Sequence, residues 1–134
     1  MRRLLLFMVL VLVCAGQVEG PYGTQGIPNG LAWRAMPYQE KGAFVAGILY
    51  GAQIVGNSVL AGSLPACPTS VDLPKWGDRK PNDVVQVVDA FYENAANIPI
   101  PMPDGVVYAL MKLNGATKEQ LDNYRSTMLI MYVH

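Results

Sequence analysis

The sequence predicts an all-α protein, a compact bundle of about four helices with a long Pro-rich loop between the first and second main helices. Three observations predict it. Apolar residues recur at helical spacing over 38–60, 82–97 and 103–134. Prolines gather in the stretches 62–81 and 98–103, where neither a continuous helix nor a central strand is tolerated. Residues that start and stop helices stand at the borders: Asn82, the pair Thr117 and Gln120, and Asn114-Gly115.

The chain opens MRRLLLFMVLVLVCAGQVEG, with Arg2 and Arg3 before the apolar run Leu4 to Val13 and then the small residues Ala15, Gly16 and Gly20. This is the pattern of a secretory signal peptide over residues 1–20, with cleavage expected between Ala15 and Gly20 and a destination in the periplasm or outside the cell. The run is too short to span a bilayer core of ~30 Å comfortably. A lipoprotein reading would rest on Cys14, but the residue before it is the large, branched Val13.

Loss of the leader changes two balances. Ten basic and ten acidic residues become eight and ten if cleavage follows Ala15, a net charge of −2, and no basic stripe remains for nucleic acid. Of the two cysteines, Cys14 leaves and Cys67 stays, so no disulfide forms within the mature chain. Cys67 is then either a buried thiol or a link between two copies, which keeps a homodimer open.

Residues 21–30 read as a flexible lead-in, and 31–134 as a single helical domain with a modest core. A short turn is expected near Leu31 to Met36. From Tyr38 to Leu60 the apolar residues Phe44, Ile48, Ile54, Val55 and Val59 recur at helical spacing, while Ala43, Gly47 and Gly51 form a small-residue stripe. Such a stripe suits close approach of a second backbone, so this segment is expected to be the buried central helix. No charge lies between Lys41 and Asp72, and a membrane-spanning reading of 42–64 is weighed on that ground. Gln53, Asn57, Ser58, Ser63 and the lack of basic residues at the far end argue against it.

The Pro-rich loop carries Trp76, an aromatic among charges, which together with Trp33 is the expected contact to a protein partner. Asn82 is expected to cap the next helix, whose apolar face is Val84, Val88, Phe91 and Ala95, widened by Val85 and Tyr92. The run Ile98-Pro99-Ile100-Pro101-Met102-Pro103 reads as a stiff extended connector, since proline disfavours helical geometry in the residue before it. A third main helix is expected from Pro103 to Leu113 with Val106, Ala109, Leu110 and Leu113 inward, stopped by Asn114-Gly115. Thr117 and Gln120 form a capping box for the fourth, with Leu121, Tyr124, Met128 and Tyr132 along its apolar stripe.

Catalytic equipment is thin. The single histidine is His134, so no Ser-His-Asp or Cys-His arrangement and no zinc site of usual ligands is expected. Asp72, Asp78, Asp83 and Asp104 are accounted for by helix starts and solvation. No enzyme activity and no cofactor is expected. Five methionines outside the leader, among them Met102, Met111, Met128 and Met131, suggest as an alternative an adaptable apolar surface of a periplasmic chaperone-like or envelope-stress protein.

The order Trp33, Glu40-Lys41, Phe44-Val45-Ala46-Gly47-Ile48 with Gly51, Cys67-Pro68, Asn82 to Phe91-Tyr92, Pro99 and Ala109-Leu110 resembles small exported bacterial helical proteins of unknown function. It is also distantly similar to the Tai/Rap-like immunity family of type VI secretion. That resemblance covers residues 38 to 113. It implies a helical periplasmic protein, without catalysis of its own, that binds a secreted effector and blocks it. The chain departs from the family in lacking paired cysteines, with Lys41 and Gly42 ahead of the Gly-rich step, and in the inserted loop from Val71 to Lys80.

Overall fold

The computed structural model describes residues 26–60 and 79–132, with the side chains of 55–60 outside the description. The leader, Cys14, Cys67, Trp76, the loop aspartates Asp72 and Asp78, and the side chains of Val55 and Val59 lie outside the described residues. Five α-helices follow in order: α1 (Gly30–Ala35), α2 (Tyr38–Leu60), α3 (Pro81–Glu93), α4 (Met102–Leu113) and α5 (Lys118–Tyr132). A 3-10 turn, Ala95–Asn97, stands between α3 and α4. The described residues form an all-α bundle with no strand, four of the helices being substantial, and their only β-type pairing is one isolated bridge between Asn29 and Pro101.

The element at the centre is α3. It packs against α1, α2 and α4, and buries Val84, Val85, Val88, Phe91 and Tyr92. These five lie at spacings of one, three and four, which gathers them into one broad stripe. Pro81 occupies the first turn, where its missing N–H costs nothing, and Lys80 precedes it without a side-chain cap. Asn82, expected to be the cap, therefore lies inside the helix. The helix also stops at Glu93, four residues short of the expected Asn97, because the Asn94 side chain accepts a hydrogen bond from Ala96 N (3.0 Å) and opens the 3-10 turn instead. Ala95 is exposed in consequence.

Helix α2 does not hold the central place expected of it. Among its described side chains Val45 is fully buried, Phe44, Ile48 and Leu49 pack on the core from the rim, and Ala43, Gly47 and Gly51 face outward. A Cβ built on Gly47 or Gly51 would meet nothing within 4 Å, so no backbone among the described residues uses the small-residue stripe. The reason lies in the amount of apolar surface each helix offers. A stripe of Ala and Gly buries little area, whereas the valine and aromatic face of α3 gains far more on enclosure. Among the described residues no helix is long and apolar enough to cross a membrane, α2 included.

The extended connector is held by pairing with the lead-in. Gly30 N donates to Ile98 O (2.9 Å) and Met102 N to Pro28 O (2.9 Å), on either side of the Asn29 and Pro101 bridge. Pro101 has the expected polyproline geometry (φ −58°, ψ 148°). Ile98 does not: it is helical (φ −53°, ψ −40°) although Pro99 follows it. Its N–H is engaged by Ala95 O (3.2 Å) and its carbonyl by Gly30, two bonds that outweigh the local preference.

The last two helices follow the sequence closely. α4 buries Met102, Gly105, Val106, Ala109 and Leu110, and ends at Asn114 with Gly115 at φ +85°, in the left-handed region that glycine adopts without strain. Arg79 Nη2 donates to Leu113 O (2.7 Å) and places a cation at that helix end. Thr117 N donates to Gln120 Oε1 (2.8 Å) and Gln120 N to Thr117 Oγ1 (3.2 Å), the reciprocal capping box that starts α5.

Candidate functional site

Trp33 is where the tertiary structure and the expected role part. The ring is fully buried, edge-on to Phe44 (6.2 Å between centroids) and beside Tyr92 (6.3 Å), so it packs the core and is not the exposed aromatic expected. Its indole Nε1 donates to Asp89 Oδ1 at 2.8 Å, and Lys41 Nζ donates to the same oxygen at 2.7 Å. The Lys41 ammonium also stands 5.2 Å from the Trp33 ring centroid. This group ties α1, α2 and α3 together, and its side chains are satisfied by one another. The indole N–H signalled a need for a polar partner, but nothing local indicated that Asp89, 56 positions away, would supply it.

Tyr92 is likewise committed to the architecture. Its hydroxyl lies 2.9 Å from both Ile100 O and Pro101 O, and so bridges α3 to the connector. Burial, and then the nearby Asp104 carboxylate, push this phenol above its ordinary range and keep it protonated. Tyr124 donates to Asp104 Oδ1 (3.0 Å) and is raised for the same reasons in the same order.

Two surfaces are left uncovered by the described residues. The first is the outer face of α2, where Ala43, Gly47 and Gly51 flank Tyr50, whose surface is 67% exposed. No charged residue occurs on α2 beyond Lys41. A large exposed aromatic on an uncharged, sterically low helix face is contact chemistry. The stripe is visible in the sequence and suits an interior position, but spacing alone does not say which face is covered.

The second surface is an open cleft of about 200 Å³ lined by residues of α3, α4 and α5 with Asn97. Phe91 and Tyr108 form its aromatic wall, with ring centroids 4.5 Å apart. The cleft and α2 lie on different sides of α3: Asp89 turns toward Lys41, while Val87, Ala90 and Asn94 turn toward the cleft. The methionines are divided between roles, Met102 in the core, Met36 and Met128 packed against it and Met131 exposed. Among the described residues no group of three or more His, Cys, Asp or Glu is placed to hold a metal ion.

No known family, curated protein or solved structure matches the chain.

Proposed function

We propose that this chain is an exported, non-catalytic helical protein that binds another protein, in the manner of immunity proteins that block a secreted effector. The observation that carries the reading is Tyr50, two-thirds exposed on the uncharged outer face of α2. Tyrosine supplies large contact area at low conformational cost, and the glycines beside it let a partner approach the helix backbone. The Trp33, Lys41, Asp89 group and Tyr92, by contrast, are engaged in holding the bundle together.

The occupant proposed for this face is a secreted effector protein encoded beside this chain. Co-expression with each neighbouring gene product, followed by co-purification and a growth assay, tests it. The expected result is a stable complex with one toxic neighbour and relief of its toxicity, both weakened at least tenfold by Tyr50→Ala and abolished by Gly47→Lys. If no neighbouring product is toxic or binds, or if both variants protect as well as the parent chain, the reading fails.

A further inference from the structure

The cleft between α3, α4 and α5 carries positive charge that the described residues leave unanswered. Arg125 Nε donates to Asn97 Oδ1 at 2.7 Å, and Asn97 Nδ2 donates in turn to Phe91 O at 2.7 Å. Asn97 is 4% exposed, so the amide is a fixed post rather than a mobile surface group. It holds the guanidinium by one edge, and among the described residues the two terminal nitrogens meet no protein acceptor. Lys112 lines the same cleft, and among the described residues no carboxylate pairs with either cation. The third charged residue of the lining, Asp122, is paired with Lys118.

We infer that this cleft binds a small monocarboxylate carried on a flat apolar group. The guanidinium end of Arg125 presents two parallel donors, the geometry that a carboxylate accepts in bidentate fashion, and Lys112 adds a second positive charge. Arg125 and Lys112 against Asp122 make the lining a net +1, which matches one negative charge better than a phosphate dianion. The half-buried Tyr108 ring, backed by the buried Phe91, receives the apolar part. A volume of about 200 Å³ is smaller than that of a typical drug-sized pocket, ~300–1,000 Å³, and suits a single ring or one terminal residue. Because Asn97 already orients Arg125, little rotamer freedom is lost on binding. Two sources share this chemistry, a free aromatic acid and the C-terminal residue of a peptide. The site lies away from the α2 face and stands independently of the function proposed above.

Titration of the folded protein with benzoate, N-acetylphenylalanine, benzamide and inorganic phosphate, followed by amide chemical shifts, tests the inference. Saturable binding of benzoate or N-acetylphenylalanine with a Kd on the order of 1 mM is expected. The shifts should centre on Asn94, Asn97, Lys112 and Arg125. Tighter binding of benzoate assigns the site to free acids, and tighter binding of N-acetylphenylalanine to peptide C-termini. Benzamide, the neutral isostere, and phosphate should bind at least tenfold more weakly. Arg125→Gln and Lys112→Gln should each lose fivefold or more, while Arg34→Gln, which removes an exposed charge on α1, should lose nothing. Lys112 is exposed, so its variant keeps the test decisive if Arg125→Gln fails to fold. Equal affinity for benzoate and benzamide, preference for phosphate, unchanged binding in folded Lys112→Gln, or no saturation by either carboxylate overturns the proposal.

Discussion

The phenol oxygen of Tyr92 lies 2.7 Å from the position a Cβ would take on Gly105. On the opposite edge, a Cβ on Gly30 would stand 2.5 Å from Cδ1 of the same ring. Neither glycine has a positive φ, so both are required for space and not for backbone freedom. Between them the ring reaches the carbonyls of Ile100 and Pro101, and α1, α3 and α4 close on one side chain.

Gly105→Ala and Gly30→Ala are therefore expected to destabilise the fold by about 1–3 kcal/mol each, the usual cost of overpacking, measured by urea unfolding. The two should respond differently to Tyr92→Phe. Removing the hydroxyl relieves the closest contact of a Gly105 side chain but not that of Gly30, which meets ring carbons. Equal penalties in both backgrounds would contradict this packing.

The outer face of α2 predicts the opposite sign. Gly47→Ala and Gly51→Ala add a methyl group in open space and remove backbone freedom from the unfolded chain. Each is expected to stabilise by up to ~1 kcal/mol in thermal or urea unfolding. Destabilisation would mean that another element covers this face.

Asp89 accepts from both Trp33 and Lys41, so its removal leaves two donors unanswered, one of them on a Lys41 side chain only 13% exposed. Asp89→Ala is expected to cost about 1–3 kcal/mol, and Asp89→Asn, which keeps an acceptor, less. In a double-mutant cycle the Lys41→Met and Asp89→Ala penalties should sum to more than the double variant loses. Strict additivity would show that the two side chains act separately.

Stability should fall on the alkaline side. Tyr92 and Tyr124 are raised in the fold from an ordinary value of 10.0, by burial first and by Asp104 second. Their contribution is fully present below the unfolded value. As pH rises through and above 10 the unfolded chain releases these protons and the folded chain retains them, so folding becomes less favourable. Urea midpoints at pH 8 and 10.5 should differ, and the difference should shrink in Tyr92→Phe and in Tyr124→Phe. An unchanged difference in both variants refutes the assignment.

Most helix borders were legible because the signals that set them act over a few residues. The Thr117 and Gln120 box, the Asn114-Gly115 stop and the apolar stripe of α3 all stand in the structure as the spacing indicates. Asn82 and Ile98 depart from their local preference where a neighbour competes: Pro81 takes the first turn, and the carbonyl and amide of Ile98 find partners in Gly30 and Ala95. Of the candidate contacts, Trp76 lies outside the described residues and Trp33 is in the core. The cleft was not legible at all, since Asn97 and Arg125 are 28 positions apart and neither residue type announces the other.

The amino-acid order by itself determined that the chain is helical, where most of its helices begin and end, and which face of α3 is apolar. Those properties arise from backbone hydrogen bonds, caps and side-chain periods that span four residues or fewer. The tertiary structure alone decided that α3 rather than α2 is central, that Trp33 is enclosed against Asp89, and that Arg125 is steadied by Asn97. Each of these depends on area and polar groups supplied by remote elements. Periodicity marks a face as coverable, and only the competition among all the helices for buried area determines which face is covered.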